Sequence, residues 1–308
     1  MKKIGIFCLG TRRPASWEIH VRELSKCKYD NYQFYLLVNE ITKEYADMLL
    51  SILKDKLIIV NGFEPTQINY MNKIKFALSR EHEFSIKHDE DIIMTSASWD
   101  RFFQLTEEMD SNDIFCTGAI SNGIPTTELF IETHTPQLKD KLYSIFANLK
   151  LGNHGADYSS LNTDDKEWNS NKFYENVTNF NHYYKGIHPV RVSFEATNII
   201  NDEILKDFNT IMAPKTKNII KDNAKYPYLC NNIFGIKTED WKTIISNPSL
   251  FVDNFDEVPI NLFRNYTKKN LVIDAGIPII HTMYNWTPNW KYENDFINSV
   301  KIKLKEML

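Results

Sequence analysis

The 308-residue chain has little of what would place it at once in a specialised class. It has no apolar run near the roughly 18 residues that a membrane-crossing helix needs, so no span is expected. Its four cysteines, Cys8, Cys27, Cys116 and Cys230, are scattered, with no C-x-x-C pair and no zinc-type spacing. That pattern argues against a disulfide scaffold or a sequence-local zinc site. Cys8 and Cys116 fall in strand-like apolar runs, where cysteine is usually a small buried hydrophobe, and a reducing, cytoplasmic compartment is expected. The net charge of −4 supplies no general drive toward nucleic acid or an anionic membrane. Glycine is scarce, at 10 residues, and no repeat or flexible linker marks a boundary. The opening Met1-Lys2-Lys3-Ile4 has the charged-then-apolar look of a signal peptide, but Gly10-Thr11-Arg12-Arg13-Pro14 breaks the apolar stretch too soon for one.

What is present is the composition of an ordinary globule, 43% hydrophobic and 25% charged. Lys3 to Leu9 reads as a buried first strand, followed by the arginine-bearing loop and a helix with Ser16 as its N-cap. Strands are expected at Gln33–Val38 and Leu57–Val60, with amphipathic helices at Thr42–Leu53 and Thr66–Leu78. A fourth strand then climbs through Phe84 to Asp91. Strands alternating with helical patterns of 10–15 residues predict an α/β fold with a mostly parallel central sheet flanked by helices.

Further on, a helix at Ala97–Met109 and a strand at Asp113–Ala119 are expected, then an extended stretch at Thr127–Thr133 and a helix at Gln137–Leu149. From Leu151 to about Asn181 the chain turns polar and aromatic-rich, with Trp168, Phe173 and Tyr174, and reads as an ordered insertion or lid. Beyond it come a strand at Tyr228–Ile236, a helix at Thr238–Ser246, a helix after Glu257, two short apolar runs at Leu271–Ile273 and Ile277–Ile280, and a closing helix at Asp295–Leu308. The whole reads as one domain: residues 1–135 and 136–290 as its two halves, the second with an insertion at about 151–226, and 291–308 as a C-terminal helix.

The chemistry concentrates in Lys87-His88-Asp89-Glu90-Asp91. On an extended segment, carboxylates at i and i+2 point the same way, and two hard oxygens at a strand's carboxyl end suit Mg²⁺ or Mn²⁺. A solvated acidic turn is the alternative reading of so short a motif. Thr11, Arg12 and Arg13, after the first strand, sit where open α/β sheets bind ligands; the arginines either pair with phosphates or face solvent.

These features resemble the GT-A class of nucleotide-sugar glycosyltransferases, the family-2-like group in particular. The resemblance covers the N-terminal half best. It implies a Rossmann-like GT-A fold and a DXD motif at Asp89 and Asp91 holding Mn²⁺ or Mg²⁺ against a donor diphosphate, with Asp89 on the metal or the ribose. It also matches Met71-Asn72-Lys73-Ile74 to a donor-contacting helical turn, with Lys73 as the cation. His281, after the apolar run Ile277–Ile280, matches a further metal ligand, although a lone histidine there also serves as a hydrogen-bonded cap. Asp256 and Glu257 match the acidic pair that supplies a general base in inverting members; the helix macrodipole alone also favours acids at that place. The implied activity is transfer of a sugar from a nucleotide-diphosphate donor, a UDP-sugar first among them, to a glycan or other hydroxyl acceptor, a nucleic-acid acceptor staying open. A metal-dependent nucleotidyltransferase or phosphohydrolase, and a non-catalytic carbohydrate-binding protein, are the competing readings.

Overall fold

Continuous apolar stretches bounded by helices build the first half of the sheet, because a parallel strand is buried on both faces. The computed structural model describes residues 3–10, 13–62, 67–123, 126–148, 190, 193–222, 229–247, 257–283 and 290–307. Strand β1 (Ile4–Leu9) pairs in parallel with β2 (Tyr32–Leu37) on one side and β4 (Phe84–Asp89) on the other, and β3 (Leu57–Val60) extends the sheet beyond β2. The connections are α1 (Pro14–Ser25), α2 (Lys43–Leu53) and α3 (Gln67–Leu78). The resulting order β3-β2-β1-β4 reverses direction between β1 and β4. An open α/β sheet offers a ligand crevice at the carboxyl ends of the strands at such a reversal.

Beyond β4 the sheet becomes mixed. Strand β8 (Ile233–Lys237) runs antiparallel to both β4 and β6 (Asp113–Ile120), and β9 (Asn270–His281) lies parallel to β6. The short β5 (Ile92–Ile93) and β7 (Ile219–Asp222) both run antiparallel to β9. The molecule is thus α/β, with a mixed, curled sheet flanked by helices and compatible with a Rossmann-like GT-A fold; the parallel character expected from the sequence is concentrated in the first four strands.

Alternation along β1 divides the core. Ile4, Ile6 and Cys8 enter a cluster with Trp17, Val21 and Trp99, whereas Phe7 and Leu9 enter one with Tyr35, Phe234 and Trp241. The first face is covered by α1 and α4 (Ser96–Glu107), and Trp241 comes from α9 (Thr238–Ser246) on the other. A third cluster joins α5 (Thr127–His134), α6 (Lys139–Asn148), α7 (Phe194–Lys206), α8 (Phe208–Ile211) and α11 (Trp290–Glu306). Helix α10 (Glu257–Thr267) adds Ile260 to the second face.

Several expectations need correcting. Thr127–His134 is a helix, not extended: Thr127, Phe130, Ile131 and His134 are buried at helical spacing. The Thr127 hydroxyl donates to Gly123 O (2.7 Å) and accepts from Gly123 N (2.8 Å), holding the chain at the helix start. Helix α1 begins at Pro14, so Ser16 lies in its first turn and donates to Arg13 O at 2.7 Å instead of capping. The apolar runs around 271–273 and 277–280 are one strand, β9, interrupted by an irregularity where Gly118 pairs with Asp274 but Ala119 with Pro278. Asp274 holds that irregularity: its buried carboxylate takes two bonds from Arg101, at 2.6 and 2.7 Å, and one from Gly276 N at 3.0 Å. A Cβ on Gly276 would lie 2.5 Å from Thr216 O, so a glycine is needed at this close approach.

Candidate functional site

The carboxyl ends of β1, β4, β6 and β9 meet at one rim. After Asp89 the chain turns through Glu90 and Asp91 before β5 begins. The strand therefore ends at Asp89, two residues before Asp91, and the alternation of an extended segment does not govern where Asp91 points. Asp89 remains part-exposed, with its Oδ1 accepting from Lys87 Nζ at 2.5 Å; Lys87, fully buried, also donates to Asn231 O. Asp91 is buried.

The pairing of β5 with β9 puts Ile92 opposite His281, and Thr282 N donates to Asp91 O at 2.8 Å. These contacts bring His281 Nε2 to 3.5 Å from Asp91 Oδ2. His281 Nδ1 faces the carbonyl of Asn122, a group that can only accept, so the proton belongs on Nδ1. Nε2 then faces the carboxylate, with Asn232 Nδ2 3.4 Å away. Asp91 Oδ1 is buried and has no hydrogen-bond partner among the described residues. Burial pushes the Asp91 carboxyl up, but His281, Arg13 and Lys87 overcome it and hold the group well below the usual carboxylate range.

Arg13 is drawn into the same rim. Its guanidinium donates to Glu293 at 2.7 and 3.1 Å and to Glu90 at 3.3 Å, and lies 3.6 Å from Asp91 Oδ2. Its backbone N–H also donates to Glu90, at 3.0 Å. Burial opposes its charge, and Asp91, Glu293 and Glu90 more than compensate. This arginine is an internal counter-ion of the acidic turn, with its charge committed to carboxylates. Glu90 is buried as well and takes a further bond from Trp17 Nε1 at 2.8 Å.

Lys73, on α3, is buried with its ammonium 2.8 Å from Asn39 Oδ1; burial brings its pKa down to about 8, with Glu90 acting in the opposite sense. Beside it, a cleft of about 530 Å³ opens among Pro14, Trp17, Glu40, Ile41, Thr42, Tyr45 and Asn61, at the ends of β2 and β3. Trp17, only 3% exposed, and Tyr45 line it, with ring centroids 6.5 Å apart.

Thr11, Arg12 and Asp256 lie outside the described residues, as do Trp168 and Trp286, and Glu257 is the first residue of α10. The structure thus joins Asp91, His281 and Arg13, sets Asp89 against Lys87, and sets Lys73 against Asn39, next in the chain to Glu40 of the cleft. Glu293 went unnoticed in the sequence because the closing helix begins at Trp290, before the Asp295 start that the pattern suggested. Its partner Arg13 is 280 residues away, and no local signal links the two.

A second group of metal-competent side chains lies on the first face of the sheet. Cys8, His20 and His88 are buried, and their candidate ligand atoms all lie within 4.8 Å of one another.

No protein-family model matches the chain, and no curated protein matches it. Among solved structures, 4-diphosphocytidyl-2C-methyl-D-erythritol synthase from Anaerococcus prevotii superposes with a TM-score of 0.32 at 13% identity, over 39% of this chain and 56% of that one. A protein assigned by name as a nucleotide-diphospho-sugar transferase from Desulfovibrio desulfuricans does so with a TM-score of 0.28 at 6% identity, over 39% of this chain and 59% of that one. The matches therefore span little more than half the length of either structure.

Proposed function

We propose that this protein is a transferase that takes a nucleotide-diphosphate sugar, a UDP-sugar first, and moves the sugar to an acceptor hydroxyl, with Asp91 and His281 holding Mn²⁺ or Mg²⁺. The observation that carries the reading is the Asp91–His281 pair at the carboxyl end of β4. Both residues fit a cation: Asp91 has an unpartnered buried oxygen, and His281 has one ring nitrogen tied to a carbonyl and the other turned to the carboxylate. Carboxylate oxygens suit either ion, and the imidazole favours Mn²⁺ over Mg²⁺. When bound, the cation supplies Lewis-acid stabilisation of the charge that develops on the leaving diphosphate.

The protein's own groups do the rest. Lys73 adds a positive charge beside the cleft, where a diphosphate would hold its proton on. Trp17 and Tyr45 provide a surface for the nucleobase, and Asp89 contacts the metal or the ribose. Arg13, clamped by Glu90 and Glu293, keeps Asp91 ionised and in place. Thr11 and Arg12 are assigned to the donor phosphates, and Asp256 or Glu257 to the base that takes the acceptor's proton. We place this chemistry in the cytoplasm, in keeping with four free cysteines.

Nucleotidyl transfer would use the same pair of residues and is separated by its products. A panel of nucleotide sugars with Mn²⁺ or Mg²⁺, with and without saccharide acceptors, should show cation-dependent release of a nucleoside diphosphate. Release of pyrophosphate from a nucleoside triphosphate would establish the nucleotidyl reaction instead. If no donor is consumed, and Asp91→Asn leaves saccharide binding intact, the protein is a carbohydrate binder and the transferase reading is lost.

A further inference from the structure

The sheet register sets Cys8 directly opposite His88 on adjacent parallel strands, so both side chains enter the same face. Helix α1 lays His20 over them; its ring meets that of His88 edge-on with centroids 4.4 Å apart. His20 Nε2 is 3.1 Å from the carbonyl of Glu90, which can only accept. The proton therefore sits on Nε2, which leaves Nδ1 as the nitrogen with a lone pair to offer. That Nδ1 has no partner among the described residues, and neither ring nitrogen of His88 has one. His88 is stacked on Trp99, centroids 5.3 Å apart and planes 26° from parallel, which fixes its ring. A buried polar atom left without a hydrogen bond is costly, and several together call for a missing partner.

We propose that Cys8 Sγ, His20 Nδ1 and a ring nitrogen of His88 form a buried zinc site, separate from the Asp91–His281 pair, that anchors the acidic turn from below. Thiolate and imidazole are the donors Zn²⁺ prefers over the oxygens a catalytic Mg²⁺ would take. With bond lengths of about 2.0–2.3 Å, a tetrahedral shell places its ligand atoms about 3.3–3.8 Å apart. Side-chain rotation of about 1 Å from the present spacing, at most 4.8 Å, closes the set. The bond from His20 to the Glu90 carbonyl is the outer contact that metal-bound histidines commonly make, and it ties the site to the turn. Binding replaces the Cys8 thiol proton, which leaves to solvent, so the ion adds one net positive charge. Burial, with Glu90, Asp89 and Asp91 nearby, pushes the Cys8 thiol up, so the ion has to displace that proton, and the same carboxylates offset its added charge.

The test uses the full-length chain under reducing conditions, because the site is closed and the ion must enter during folding. Protein from zinc-supplemented cells is assayed for metal; stripped chain is refolded with Co²⁺ and its spectrum recorded. The expected result is one zinc per chain, and with Co²⁺ a thiolate-to-metal charge-transfer band and tetrahedral d–d absorption. Cys8→Ala and, separately, His20→Gln should lose the band or bind Co²⁺ more weakly by at least the roughly 10–100-fold that removal of an outer contact costs. Asp91→Asn should keep both band and stoichiometry, since it belongs to the other site. Wild-type protein that folds without zinc and gives no thiolate band overturns the proposal, as does Cys8→Ala binding Co²⁺ as tightly as wild type. Neither result touches the nucleotide-sugar reading, which is tested by donor turnover.

Discussion

Two polar regions lie back to back at the end of β4, and they balance their charge in different ways. On the rim, Arg13 is matched by Glu90, Glu293 and Asp91, and His281 lies against Asp91. Beneath it, Cys8, His20 and His88 are buried together, and three of their ring nitrogens have no hydrogen-bond partner among the described residues. Opposite charges drawn together on the rim compensate one another's desolvation, while the neutral groups below are left for a ligand to complete. The rim is thus an electrostatic device that keeps Asp91 ionised, and the cluster below is a coordination geometry.

The sharpest way to separate them is Asp91→Asn. Turnover of the nucleotide-sugar donor should fall by about 10²–10³-fold, the scale for losing one preorganised group facing developing charge. Steady-state kinetics with saturating Mn²⁺ measure it, alongside an unchanged cobalt spectrum. Glu90→Ala should destabilise the fold instead, by about 3 kcal/mol, because buried Arg13 and Trp17 lose an acceptor. The urea midpoint reads this change, and the Glu90 carbonyl that holds His20 survives it. An undiminished midpoint would mean that the rim is less tightly coupled than the distances suggest.

His134 provides a control outside both regions. Burial brings its pKa down from 6.5 to about 4, and its Nε2 lies 2.9 Å from Ala275 O. The unfolded chain therefore takes up this proton first as the pH falls. Stability is full above about pH 6.5 and declines toward 4, by up to about 3 kcal/mol. Denaturation midpoints across that window should show the slope, His134→Gln should reduce it by this share while leaving what buried His20 and His88 add, and zinc should leave the contribution of His134 unaltered. The smallest expected effect belongs to Lys73. Since burial brings it down to about 8, affinity for a nucleoside diphosphate should weaken above that pH, by about tenfold per unit at most. Calorimetric titration at several pH values would reveal it, with Lys73→Met weaker throughout and flat.

Much of the first half was legible because its signals are local. The run Leu57–Val60 is as long as β3, and the helix expected over Thr42–Leu53 is α2, with Thr42 as its cap, accepting from Tyr45 N. The second half hid more. Helix α5 begins with threonines, which resemble a strand until Gly123 is seen bonded to the Thr127 hydroxyl. The break within β9 looked like a strand boundary because Asp274-Ala275-Gly276 interrupts the apolar pattern; a bidentate arginine makes that aspartate tolerable inside the sheet.

By itself the sequence determined the alternation of strand and helix and an acidic segment closing β4. Those depend on the spacing of apolar residues within a few turns or strand steps. Only the tertiary structure decided which chemically able side chains meet. Cys8, His20 and His88 had no recognisable metal spacing, and become neighbours through the β1–β4 register and the seating of α1. Asp91 reaches His281 through two residues of β5 laid against the end of β9. Sheet register between distant segments depends on all the strands at once, so no local periodicity announces it.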